Sequence, residues 1–252
     1  MTLLERARST GPVWGTFVKL AGDEPIDLVA DAGFDFVVVD LEHSQLGEDE
    51  ARRSLRRAAA IGLPGLVRVA EVDEMFVNRA LEAGAVGVQL SGVRSRTDVD
   101  ALVAATQHPP AGRRSVSLAQ PAAGYGGQVL TQHLDALLAT PPLMVGQIES
   151  GATTDPLDRV LAGLDVAFVG TTDLTVDMGV PGQLDHPAVV ARVDEIAKAA
   201  TAAGVLWGAW APGLVEAQAL AARGAGYVMV ASDLQLLRHA MVETVHGLKG
   251  AR

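Results

Sequence analysis

Short apolar runs dominated by Val, Leu and Ile recur along the chain, and alanine-rich stretches with helical spacing of apolar residues lie between them. Runs that are apolar at nearly every position suit strands buried on both faces of a parallel sheet. Strands are predicted at Val13 to Lys19, Phe36 to Leu41, Gly65 to Val69, Gly87 to Leu90, Leu143 to Glu149, Val166 to Val169, Leu206 to Trp210 and Tyr227 to Val230. Helical patterns fill the intervals, among them Glu48 to Ala60, Glu74 to Ala83, Thr97 to Thr106, His186 to Ala203, Leu214 to Arg223 and Leu234 to Leu248. Several reach the next strand through a glycine, as in Ala32-Gly33-Phe34, Ala83-Gly84-Ala85, Ala203-Gly204-Val205 and Arg223-Gly224-Ala225. Glycine just past a helix ends it by taking the left-handed conformation cheaply. The recurring join of helix, glycine and strand predicts a closed α/β architecture of similar units, a (β/α)8 TIM barrel.

A length of 252 residues agrees, because such barrels run to about 200–250 residues as one unit. A single domain spanning residues 1–252 is expected. The segment Pro109 to Gln128, rich in glycine and proline, breaks the rhythm. Long irregular stretches inside compact domains tend to be functional, and an active-site loop is expected there.

A net charge of −10 and the lack of a basic run beyond Arg52, Arg53, Arg56 and Arg57 argue against nucleic acid as a partner. Those four arginines read as a solvated helix face or a subunit contact. Without cysteine, any metal must be held by oxygen or imidazole. No stretch approaches the roughly 18 uncharged apolar residues of a membrane span, and the first residues lack the apolar segment of a signal peptide. A cytoplasmic location is the expectation.

Catalytic groups of such barrels stand at the C-terminal ends of the strands. Following the predicted strands, these positions hold Asp40, Glu42 and His43, then Arg68, then Gln147 and Glu149, then Asp173. Glu149 and Asp173 end consecutive strands, and two hard oxygen ligands with waters suit a divalent ion such as Mg²⁺ or Mn²⁺. Carboxylates that merely favour helix N-termini would look the same. Arg68 in an apolar strand requires an anion, since guanidinium keeps its proton; that anion is either Asp40 or Glu42, or an oxygen of a substrate. His43 is either a base suited to neutral pH or a solvated loop residue. Gly170-Thr171-Thr172-Asp173 offers successive backbone N–H groups to a carboxylate. Trp210 ends a strand and is placed to line a pocket.

Taken together, FDFVVVDLEHSQ (34–45), LVRVA (66–70), ALEAGAVGVQL (80–90), HPPAGRRSV (108–116), VGQIES (145–150) and VGTTDLTVDMG (169–179) resemble the metal-dependent pyruvate aldolases of the HpcH/HpaI type. This group includes hydroxy-oxo-heptanedioate and 2-dehydro-3-deoxyglucarate aldolases. The resemblance spans nearly the whole chain. It implies a divalent metal (Mg²⁺, Mn²⁺ or Co²⁺) on Glu149 and Asp173, chelated by a 2-oxo acid. Arg68 would stabilise the enolate oxygen and His43 would serve as base, with Asp40 and Gln147 in support. The backbone of Gly170, Thr171 and Thr172 would receive the substrate carboxylate.

The resemblance further implies homohexamers, trimers of dimers with exchanged C-terminal helices, in which Glu82 of a neighbouring subunit partners the histidine. The implied reaction joins or cleaves a 2-oxo acid and an aldehyde. Decarboxylation and condensation of oxaloacetate, or a catalytically silent barrel, are the alternatives. Thr171, Ser91, Glu82 and the loop Ser115 to Gly127 depart from the family pattern. All four lie around the substrate rather than at the metal.

Overall fold

The computed structural model describes residues 1–250. Eight strands, β1 (Val13–Val18), β2 (Phe36–Asp40), β3 (Gly65–Val69), β4 (Gly87–Leu90), β5 (Leu143–Ile148), β6 (Val166–Val169), β7 (Leu206–Ala211) and β8 (Tyr227–Ser232), pair in sequence order and close as a parallel barrel. The helices are α1 (Leu3–Ser9), α2 (Glu24–Asp31), α3 (Glu48–Ile61), α4 (Glu74–Glu82), α5 (Arg96–Thr106), α6 (Leu130–Ala139), α7 (Leu157–Leu161), α8 (Thr171–Asp177), α9 (Pro187–Ala202), α10 (Leu214–Ala222) and α11 (Asp233–Gly250). The expected (β/α)8 barrel is present. Strands β7 and β8 continue past their predicted ends, and the short α7 and α8 have too few residues to show a helical period.

Two apolar layers hold the barrel. Outward residues such as Val37, Val39, Val67, Val88, Val169 and Val228 pack beneath the helices. Inward residues Val13, Phe17, Phe36, Val38, Leu66, Val145, Phe168, Tyr227 and Met229 fill the interior. Phe36 and Tyr227 meet with ring centroids 4.4 Å apart, and Phe168 stands edge-on to Tyr227 at 6.0 Å. Period-two alternation then carries the inward face upward: Asp40 follows Phe36 and Val38, and Arg68 follows Leu66. The register sets Asp40 beside Arg68 and Arg68 beside Gln89.

Helix α11 departs from the pattern of the other helices. Of its residues only Asp233 is buried, while Leu234, Leu237, Met241, Val245 and Leu248 are 44, 45, 57, 43 and 71% exposed. Their spacing of three or four puts them on one stripe. Beside the root of this helix, Trp14, Phe34, Leu214, Ala217 and Val230 line a groove of about 940 Å³.

Candidate active site

The C-terminal mouth of the barrel holds a cavity of about 520 Å³ lined by residues that include Lys19, His43, Arg68, Gln147, Asp173 and Trp210. Its floor is an ion network. Arg68 donates Nε to Asp40 Oδ1 at 2.8 Å and Nη2 to Oδ2 at 2.6 Å, and its Nη1 lies 3.2 Å from Glu42 Oε2. Two of the five guanidinium N–H groups are thus hydrogen-bonded, leaving three. The guanidinium also lies over the Phe17 ring, 4.2 Å from its centroid, a favourable cation–π arrangement. Asp40 further accepts from Lys19 Nζ at 3.0 Å and from the backbone N–H groups of Glu42 and His43. Burial alone would raise its pKa, but the hydrogen bonds and charge of Arg68, with Lys19 behind, outweigh burial and hold it at about 2. The ion-pair reading of Arg68 is met by Asp40 and Glu42, and the guanidinium keeps donors to spare.

Ser91, at the end of β4, donates its hydroxyl to Glu42 Oε2 at 2.6 Å. The same oxygen stands 3.8 Å from His43 Nε2, on an imidazole that is half exposed. Across the mouth, Gln147 donates its amide to Glu149 Oε2. Burial, opposed by that hydrogen bond and aided by the negative charges of Glu42 and Asp173, raises the pKa of Glu149. Gly170 makes the junction possible, because a Cβ there would come within 2.5 Å of Glu149 Oε2 and 3.1 Å of Gln147 Nε2. Its own N–H is taken by Ile148 O, so of the predicted N–H groups Thr171 and Thr172 are left, opening α8. Asp173 sits in the first turn of that helix, as the helix-terminus reading expects.

Glu82 ends α4 on the outer wall, where Asn78 approaches it at 3.4 Å; it does not line the mouth of its own barrel, and the histidine expected to meet it belongs to a neighbouring subunit. One expectation is not met. The segment 109–128 also runs outside the barrel: Arg113 pairs with Glu74, Arg114 and Ser115 bond Asn78, and Gln120 meets buried His133. None of its residues lines the mouth, so it is not an active-site loop of its own barrel. The glycines and prolines that suggested such a loop instead shape a strap across the outer helices.

Other mouth residues carried little signal in the sequence. Lys19 is marked only by its place at a strand end, and Gln89 only as a lone amide in an apolar run. Ser232 and Gln235 bond each other at 3.0 Å where β8 meets α11. Ala231, at φ +52, accepts from Trp210 Nε1 at 3.2 Å. Left-handed backbone at a residue with a Cβ is a form of strain concentrated at functional sites, and no local composition reveals it.

A family model described as HpcH/HpaI aldolase/citrate lyase matches residues 14–240. The chain belongs to that family. It is 32% identical to a hydroxypyruvate/pyruvate aldolase of Paraburkholderia phytofirmans over 247 residues, 94% of each protein. It is also 32% identical to a 4-hydroxy-2-oxo-heptane-1,7-dioate aldolase of Salmonella arizonae over 236 residues, 90% of this chain and 86% of that one. An HpcH/HpaI aldolase structure from Desulfitobacterium hafniense superposes with a TM-score of 0.90 at 26% identity, covering 99% of this chain and 97% of that one. This family member is accordingly an aldolase, a carbon–carbon lyase.

Its donor set fits a divalent cation. Glu149 and Asp173 supply hard oxygens, and the charge of Asp173 helps to raise the pKa of Glu149, a repulsion that a cation would relieve. Among the described residues no three His, Cys, Asp or Glu side chains gather as a metal group. A cation here would therefore take two protein ligands and complete its shell from water or substrate.

Proposed function

We propose that this aldolase makes and breaks the C3–C4 bond of a 4-hydroxy-2-oxo acid, exchanging it for pyruvate or a related 2-oxo acid and an aldehyde, with a divalent ion held by Glu149 and Asp173. A bound ion of this kind supplies Lewis acidity at a ketone oxygen. The supporting observation is that Arg68, with N–H groups not hydrogen-bonded within the protein, shares one mouth cavity with His43, Asp173 and the amide that holds Glu149.

Cleavage needs a base to take the proton of the 4-hydroxyl as the bond opens, and His43 is the exposed imidazole at the cavity's edge. The electron pair released from the bond flows toward the ketone oxygen, and the remaining Arg68 N–H groups supply hydrogen bonds to that growing charge. Asp40 prevents Arg68 from turning away. Thr171 and Thr172 present helix-terminal N–H groups to the substrate carboxylate. Trp210 and Phe17 shield the wall.

The same proposal includes assembly as a homohexamer, a trimer of dimers. The exposed stripe of α11 and the apolar groove beside it support helix exchange with a second copy, because contiguous apolar patches of this kind mark interaction sites. The outward position of Glu82 supports its service to His43 of an adjoining subunit. The proposed location is the cytoplasm; no helix is long and apolar enough to cross a membrane among the described residues.

Deuterium exchange into the methyl group of pyruvate, followed by proton NMR with Mg²⁺, Mn²⁺ or Co²⁺ added, tests the proposal. Exchange should require the metal, stop with EDTA and vanish in Glu149→Ala. Exchange that persists in Glu149→Ala would remove the proposed site. Consumption of oxaloacetate without any aldol cleavage would instead assign the site to decarboxylation and condensation.

A further inference from the structure

A chain of buried amides runs through the barrel interior beneath the mouth. Tyr227 Oη lies 3.5 Å from Gln89 Oε1, Gln89 Nε2 donates to Gln147 Oε1 at 2.7 Å, and Gln147 Nε2 donates to Glu149 Oε2. Gln89 and Gln147 are 0 and 2% exposed and Tyr227 is 1% exposed, so water does not compete for these groups.

Donor and acceptor chemistry allows this chain one direction. An ionised carboxylate only accepts, so Gln147 must turn its NH2 toward Glu149 and its oxygen toward Gln89. Gln89 must then offer NH2 to Gln147 and keep its oxygen for Tyr227, whose hydroxyl donates. Burial pushes the phenol well above its ordinary range despite the charge of Arg68, which keeps that donor protonated. Reversing either amide would set oxygen against oxygen in a space without solvent, and buried polar atoms left unpaired are expensive.

We infer that Gln89 and Tyr227 are positioning residues which, through Gln147, fix one carboxylate oxygen of Glu149 and so hold that side chain in one rotamer for a cation. The inference rests on the proposed metal reading and extends it to two residues that approach neither ion nor substrate. Groups that orient metal ligands from behind commonly carry about 10- to 100-fold in affinity.

The test is titration of the full-length protein with Mn²⁺ alone, read by electron paramagnetic resonance of the free ion and by calorimetry. Gln89→Met keeps volume and removes the amide; its Mn²⁺ affinity should fall about tenfold. Tyr227→Phe removes only the hydroxyl, preserves the packing against Phe36 and Phe168, and should lower affinity about threefold, the smaller part of the same effect. In a Gln147→Met background both changes should lose their effect, because the connection to Glu149 is already cut.

Affinity unchanged within twofold in both single variants would overturn the inference, as would effects that persist in the Gln147→Met background. Should Gln89→Met fail to fold, the Tyr227→Phe comparison decides in the same way. An unmodified protein that binds no Mn²⁺ would overturn the metal reading, and this inference with it.

Discussion

The two ends of the barrel interior are built on the same strands and obey opposite rules. Two or four residues below the mouth, the inward positions are Phe36, Val38, Leu66, Val145, Phe168 and Tyr227, in contact with one another and excluding water. At the mouth the same strands present Asp40, Arg68, Gln89 and Gln147, equally buried but satisfied only through specific partners. The lower end gains stability from every buried methylene. The upper end is stable only while its charges and amides remain paired, since one missing partner leaves an isolated buried charge. Stability and chemistry are thus divided along the barrel axis, and substitutions at the two ends should have separable effects.

The largest effect is expected from Arg68→Met. It leaves Glu42 without its cation and Asp40 with Lys19 alone, which should lower stability by about 3–5 kcal/mol and reduce aldol turnover by about a hundred- to a thousandfold, the range for a lost transition-state donor. Urea denaturation with parallel turnover assays measures both; full activity in this variant would dismantle the proposed role of the ion network.

Gly170→Ala should be more selective. Its new methyl group displaces Glu149 and Gln147, while φ of −77° suits alanine. Turnover should fall by about a hundredfold, consistent with a metal ligand moved from its place. The melting temperature should change by only a few degrees, as expected for about 1 kcal/mol.

Acid should reach the mouth through Asp40. Its pKa is lower in the folded chain, about 2, than the ordinary 3.8, so its stabilising contribution is complete above about pH 4 and is lost as pH falls toward 2. The contribution is on the order of 2 kcal/mol. Unfolding free energies measured from pH 5 to pH 2 should show that slope, and Asp40→Asn should flatten it.

The smallest effect belongs to the lower end. Phe36→Leu should destabilise by about 1–2 kcal/mol through looser packing among the inward apolar side chains, with kcat per folded molecule, measured at saturating metal, unchanged. A large loss of turnover there would show that the two ends are not independent.

The chemistry-bearing residues were legible in proportion to how strongly their surroundings exclude them. Asp40, Arg68 and Gln147 stand out because a polar group inside an apolar run needs a reason. Gln89 has the same property in a shorter strand, where its run offers less contrast. Glu82 illustrates a different limit, since motif spacing aligns it with an acidic position of the family while the partner expected for it belongs to another subunit. For residues 109–128, glycine and proline signalled irregular backbone correctly, but irregularity has no address: contacts with Glu74, Asn78 and His133 decide where the strap lies.

The amino-acid sequence by itself determined the eight strands, the longer helices between them and the closed barrel, because periodicity, burial and glycine stops are local properties. It also placed the acidic, basic and imidazole groups at strand ends. Only the tertiary structure decided which of these groups meet. Both faces of the strands are largely apolar, which hides the inward parity; strand register then sets Arg68 between Asp40 and Gln89. The direction of the amide chain and the room left by Gly170 likewise arise between elements distant in sequence, where no local pattern reaches.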